Sequence, residues 1–173
     1  MAWAESIISV LKKYNVRFLN YVPDTKIEKI LAAARDLGGF EALPLTREEE
    51  GIGIVCGQSL GGGRGVMLCP TAGLGNSINA VAALAIAYRI PCPIIIGVRG
   101  DLGEFNPAQV PMGQATQDIL DALRIPSYRI TREDETEKMT EGALRICYAS
   151  EGPVAILVTN ELAGWKEGRA KAP

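Results

Sequence analysis

The 173-residue chain contains no histidine. Without an imidazole the chain by itself builds no Ser-His-Asp triad, no Cys-His pair, no His-ligated zinc and no histidine proton relay. Proton transfer must fall to a carboxylate, a cofactor or a partner. Aromatic residues are scarce, at 6%, which argues against platforms for stacking bases. Net charge is only −2, from 18 basic and 20 acidic residues, which argues against nucleic acid as the main partner. Cys56, Cys69, Cys92 and Cys147 lack C-x-x-C spacing and stand in apolar surroundings. They read as small buried thiols of a reducing compartment rather than disulfides or metal ligands. No apolar run reaches the ~18 residues of a membrane span, and Glu5 stands where a leader would be basic or apolar. A cytoplasmic protein with no membrane segment is expected.

What is present fits one globular domain: 47% hydrophobic and 22% charged residues. Helix and strand patterns alternate. Trp3, Ile7, Ile8 and Leu11 recur at helical spacing, predicting a helix over 3–14. Val16, Phe18 and Leu19 mark a short strand that stops at Pro23-Asp24. Asp24 or Thr25 caps a second helix, ended by Gly38-Gly39. A short strand at 41–45 precedes a third helix, whose Thr46-x-x-Glu49 spacing reads as a capping box. Then follow a strand at 65–70, a helix at 75–88, and a continuous apolar strand at 93–98 that implies cover on both faces. Residues 99–113 read as a long irregular stretch, followed by a helix near 114–123, a strand near 127–130, a helix from Thr131 to about 149 and a buried strand at 153–159. The expected architecture is an α/β three-layer, open, mainly parallel six-stranded sheet with helices on both faces. It occupies residues 1–160, and 161–173 form a polar, frayed tail.

Such sheets bind ligands beyond the carboxyl ends of their strands. That rule points to the turns at Pro23-Asp24, Thr46-Glu49, Pro70-Gly75 and Arg99-Gly113, and four segments of the chain stand out for chemistry. Glu48, Glu49 and Glu50 open a helix that is otherwise small and apolar, so one glutamate can stand at the edge of a buried interface, though periodicity does not choose which. The bland alternative is three solvated acids serving the helix dipole. Thr71-Ala72-Gly73-Leu74-Gly75 reads as a tight strand-to-helix turn whose glycines would let a ligand approach the backbone. It fails as a dinucleotide fingerprint, because the third glycine and the later acidic residue are missing. Gly61-Gly62-Gly63-Arg64-Gly65 reads as a helix end with a solvated arginine. Arg99, at the end of a central strand, either holds an anion or pairs with Asp101 or Glu104.

Taken together these residues resemble the alpha subunit of sulfopyruvate decarboxylase and its relative phosphonopyruvate decarboxylase. The resemblance runs through Val22-Pro23-Asp24, Thr46 to Gly53, Gly73 to Asn79, Tyr88-Arg89-Ile90-Pro91, Arg99-Gly100-Asp101-Leu102 and Ala108 to Gly113. It implies the pyrimidine-binding (PYR) domain of a thiamine diphosphate enzyme, with a six-stranded parallel sheet. By position in the Arg-Glu-Glu-Glu-Gly segment it implies Glu49 as the catalytic carboxylate that bonds N1′ of the cofactor's aminopyrimidine. Pro23, Thr71, Gly73, Gly75 and Asn76 would line the cofactor. Asp24, Arg99 and Gln109 would meet a small 2-oxo acid, 3-sulfopyruvate or 3-phosphonopyruvate.

The resemblance also implies a division of labour. Gly100-Asp101 is followed by Leu102, not glycine, and no fitting asparagine comes after it. The Mg²⁺ and diphosphate site is therefore expected on a separate beta subunit, with no metal ligand in this chain and the cofactor shared between the two. Alone, the chain could form a homo-oligomer through its small-residue helices. Pro70-Thr71-Ala72 stands where relatives commonly carry Gln-Asn-Ser, so a PYR-like scaffold without catalysis is the second reading. A stand-alone nucleotide-binding protein is the third, opposed by the failed fingerprints.

Overall fold

A computed structural model describes residues 2–164. In chain order the elements are α1 (Trp3–Lys13), β1 (Phe18–Tyr21), α2 (Thr25–Leu37), β2 (Glu41–Pro44), α3 (Glu48–Leu60), β3 (Gly65–Pro70), α4 (Thr71–Ala80), a π-helical segment (Val81–Ile86), β4 (Cys92–Gly97), a 3-10 turn (Pro107–Gln109), α5 (Val110–Ala122), β5 (Ser127–Ile130), a second 3-10 turn (Glu133–Glu135), α6 (Thr136–Ser150), β6 (Pro153–Val158) and α7 (Asn160–Ala163). The six strands form one sheet in the order β2-β1-β3-β4-β6-β5, with each neighbouring pair parallel.

The apolar runs explain the layering. β4 and β6 are buried along their whole length, and β3 up to its last residue, because helices cover both faces. Successive strand side chains point to opposite faces. Leu68, Ile95 and Ile156 therefore meet α1, α2 and α6 through Ile7, Ile8, Leu11, Ile27, Ile30 and Leu144. Met67, Ile94, Ile96 and Leu157 meet the other layer through Ile52, Val55, Leu74, Val81 and Leu120. The expected doubly covered parallel sheet is the observed one. All four cysteines are free and buried. Among the described residues no helix is long and apolar enough to cross a membrane.

Several boundaries differ from the sequence reading. α4 begins at Thr71, directly after β3, so Gly73 and Gly75 lie inside its first turns rather than in a preceding bend. The helix expected to 88 changes to π-helical winding at Val81. The stretch expected to be irregular through 113 is helical from Pro107, because Asn106 caps the 3-10 turn through its side chain and α5 follows at once. Asn160 is buried and opens a short helix capped by Thr159, so the polar tail does not fray from that residue. Residues 165–173 of the expected tail lie outside the described residues. Arg64 is not solvated. Its guanidinium donates to the Tyr14 carbonyl at 2.8 Å and stacks on the Tyr148 ring.

Parallel strands put every carboxyl end on one edge of the sheet. The residues that follow β1, β2, β3, β4 and β6 — Asp24, Glu48, Thr71, Arg99 and Asn160 — are thereby gathered along one rim.

Candidate active site

The rim begins with the three glutamates at the start of α3. Arg47 is the N-cap, and Glu50 folds back so that its Oε2 accepts the Thr46 N–H at 3.1 Å and the Arg47 N–H at 3.3 Å. The reciprocal cap partner is thus Glu50, not Glu49, because the helix starts one residue later than Thr46-x-x-Glu49 implies. Glu49 turns to solvent, with its side chain 45% exposed and paired with Arg47 at 3.0 Å. Glu48 alone is buried, at 9% exposure. Adjacent helical positions are about 100° apart around the axis, so only one of three consecutive side chains faces the neighbouring helix.

That neighbour is α4. Glu48 lies across Gly73: a Cβ there would come within 2.6 Å of Glu48 Oε1 and 2.7 Å of its Cδ. Asn76 Nδ2 donates to Glu48 Oε2 at 3.4 Å, a long bond that leaves the carboxylate capacity for another donor. The glycine matters here for close approach, since neither Gly73 nor Gly75 has a positive φ. Thr71, fully buried at the first position of α4, has no hydrogen-bond partner for its Oγ1 among the described residues. Cys69, beneath the rim, has its thiol pKa pushed well up by burial and, secondarily, by the negative charges of Glu48 and Asp24. It is held as a neutral thiol. Gly75 faces Met112 of α5, whose Sδ would lie 2.9 Å from an added Cβ. The Gln109 Oε1, just before α5, is buried without a hydrogen-bond partner among the described residues.

The second part of the rim is ionic. Arg99 donates from Nε and Nη2 to Glu104 at 2.8 and 3.1 Å, and from Nη1 to Asp24 at 3.4 Å. Asp101 pairs instead with Arg129. Of the two roles open to Arg99, the structure builds the ion pair with Glu104, which engages Nε and Nη2 and leaves Nη1 on Asp24. Asp24 also caps α2 by accepting the Lys26 N–H. The cavity bounded by Asp24, Lys26, Arg99, Glu104, Phe105 and Asn160 is ≈ 70 Å³, far below the ~300 Å³ of ordinary ligand pockets.

The structure therefore sets Gly73 and Asn76 against Glu48, with Thr71 and Gly75 in the same first turns of α4. Asp24 and Arg99 form a separate charged cluster, and Pro23 is exposed beside it. Glu49 joins neither. The sequence reading named Glu104 as a possible partner of Arg99, but it did not single out Glu48 as the inward member of its triplet, nor Lys26 or Asn160. Asn160 carried a signal, since it directly follows a buried strand at the carboxyl edge. Lys26, in the first turn of an amphipathic helix, carried none. Among the described residues no group of three His, Cys, Asp or Glu side chains could hold a metal ion.

Comparison with known proteins gives these features a context. No protein-family model matches the chain. The sulfopyruvate decarboxylase subunit alpha of Methanococcus maripaludis is 39% identical over 155 residues, 90% of this chain and 93% of its own. A sulfopyruvate decarboxylase of Methanosarcina acetivorans is 33% identical over 155 residues, but these cover only 39% of its length. Among solved structures, a 2-oxoglutarate:ferredoxin oxidoreductase from Magnetococcus marinus has a TM-score of 0.71 at 16% identity, over 94% of this chain and 29% of that one. The last likeness is one of fold. With identity approaching two residues in five along nearly the whole length of a curated relative, the chain belongs to the sulfopyruvate decarboxylase alpha-subunit family.

Proposed function

We propose that this chain is the PYR half of a thiamine diphosphate-dependent decarboxylase of 3-sulfopyruvate, with 3-phosphonopyruvate as the alternative substrate, and that Glu48 is its catalytic carboxylate. The observation that carries the assignment is the geometry of the glutamate triplet. Glu48 is buried against the first turn of α4 with one long internal donor, whereas Glu49 faces solvent and Glu50 serves the cap. The residues around it fit a cofactor edge: an acceptor with spare capacity, a glycine floor and the unpartnered Thr71 hydroxyl.

Thiamine diphosphate, when bound, supplies the electron sink that lets a 2-oxo acid lose carbon dioxide. This chain's contribution is narrower. Glu48 would hold ring nitrogen N1′ of the bound cofactor by a hydrogen bond with its carboxyl group, in a site whose burial would strengthen that bond. Gly73 leaves the carboxylate room, and Asn76 steadies its Oε2. Mg²⁺ and the diphosphate fall to a beta subunit that completes the site. The M. acetivorans relative supports this division, since its matching region is a minor part of one longer chain. Leu60 and Tyr88, 76% and 72% exposed, lie at the ends of α3 and of the helical run that continues α4 remote from Glu48, and such exposed apolar side chains on the layer that carries Glu48 support a covering subunit.

The test is co-expression with a candidate beta subunit and measurement of carbon dioxide release. Glu48→Gln should reduce turnover at least about 100-fold with the complex intact, and Glu49→Gln should stay within about threefold of the parent. The reverse ranking would overturn the assignment. An assembled complex that tolerates both would make the chain a scaffold.

A further inference from the structure

The charged cluster at the rim is closed upon itself. Lys26 is 6% exposed, and its Nζ donates to the Val98 carbonyl and to Asn160 Oδ1, both at 2.7 Å. Asn160 Nδ2 returns a bond to the Leu102 carbonyl at 2.7 Å. Glu104, 4% exposed, accepts Arg99 twice and also the N–H groups of Gly100 at 3.2 Å and Asn106 at 3.0 Å. The side chains of Lys26, Asp24 and Glu104 are thus buried and that of Arg99 half-buried, with most of the donors of the two cations engaged inside the cluster. Buried pairs of this kind yield little net stability over an apolar replacement, because desolvation offsets their attraction. Their effect is to fix geometry.

What they fix is the segment from Arg99 to Gln109, and through it the start of α5. Gly113 packs on the backbone of Arg99 and Gly100, where an added Cβ would meet Gly100 Cα at 2.7 Å and the Arg99 carbonyl carbon at 2.8 Å. One residue earlier, Met112 rests on Gly75 in α4, and two residues before Gly75 the helix supports Glu48 at Gly73. A contiguous chain of contacts runs from Glu104 to the carboxylate.

We propose that Glu104 and Arg99 are positioning residues: with Asp24, Lys26 and Asn160 they lock the 99–109 segment, so that Met112 holds the first turn of α4 and thereby Glu48 in place. The mechanistic half of this inference rests on the decarboxylase reading above. It assigns Arg99 to orientation and leaves recognition of the substrate's anionic tail to other groups.

The test uses Glu104→Gln, Arg99→Gln and the double variant, each assembled with the partner. Each single variant should lower kcat about 10–100-fold with KM for the 2-oxo acid within about twofold. The double variant should be no worse than the poorer single one, because both break the same lock. Amide hydrogen exchange on the uncomplexed chain should quicken at 71–76 and 110–114 and stay unchanged in α1 and α6. A raised KM in Arg99→Gln with Glu104→Gln unaffected would overturn the proposal in favour of direct substrate contact. So would additive losses, or unchanged exchange at α4 and α5. Should a glutamine variant fail to fold, Glu104→Asp keeps the charge but shortens the reach, and the same pattern is expected in milder form. If the parent complex releases no carbon dioxide, the decarboxylase reading fails, while the exchange experiment still judges the lock.

Discussion

At the scale of single residues, Gly73 sets how near Glu48 can lie to α4. Gly73→Ala should push the carboxylate aside, since the added methyl group would fall 2.6 Å from Oε1. Turnover of the assembled complex should fall nearly as far as in Glu48→Gln, while thermal unfolding moves by no more than about 1–3 kcal/mol of overpacking. Gly75→Ala meets only the Met112 thioether, a flexible side chain, and should cost less activity in the same assay. Glu104 makes a second residue-scale prediction. Hydrogen bonds from Arg99, aided by the Asn106 and Gly100 N–H groups and opposed by burial, lower its pKa from 4.5 to about 2. The unfolded chain binds this proton at higher pH than the native one. The stabilisation is therefore complete above the unfolded pKa, and it is lost as pH falls from there through the folded value, on the order of 1–3 kcal/mol in all. Urea midpoints measured from about pH 6 down to pH 3 should decline less steeply in Glu104→Gln than in the parent. A parallel decline in the two proteins would mean that Glu104 does not carry this acid sensitivity.

Within elements, identical residue types answer to different surroundings. In α3, an added Cβ at Gly53 or Gly57 has no heavy atom within 4 Å, whereas at Gly51 it would meet the Met67 sulfur and lie 2.7 Å from Leu45 Cδ1. Alanine at 53 or 57 should raise the stability of the isolated chain by up to about 1 kcal/mol, through helix propensity alone. Alanine at 51 should lower it by about 1–3 kcal/mol. Denaturant midpoints of the three variants give the signs directly. Nothing in the string Gly51-Ile52-Gly53 separates these outcomes, because the difference lies in what stands opposite each position. The same limit moved the start of α4. Two glycines after a strand read locally as a turn, since glycine is a poor helix former. Packing against α3 and α5 overrides that preference, and both are helical.

For the whole molecule, the proposed function makes the six-stranded sheet the bearer of half of a site. The chain should bind thiamine diphosphate weakly by itself, with or without magnesium, and tightly once assembled; calorimetry on the isolated chain and on the complex compares the two. Tight, magnesium-dependent binding to the isolated chain would remove the need for a partner. The architecture was legible in the sequence because burial leaves a one-dimensional trace. Continuous apolar runs at β3, β4 and β6 state that both faces of the strands are covered, and alternation with helices makes the sheet parallel. The parallel sheet in turn directed attention to the rim of strand carboxyl ends, where the candidate site lies, and the lack of histidine pointed to a carboxylate as the proton-handling candidate within the chain. The choice among Glu48, Glu49 and Glu50 left no such trace. It depends on the rotation of α3 about its axis, set by Ile52, Val55 and Cys56 docking on the sheet. For Arg99 the sequence offered Glu104, five residues on, as one of two ion-pair partners, whereas Asp24, 75 residues away, left no trace. Composition and periodicity determine which faces are buried; only the packed chain decides which polar group turns inward and which charge is already neutralised.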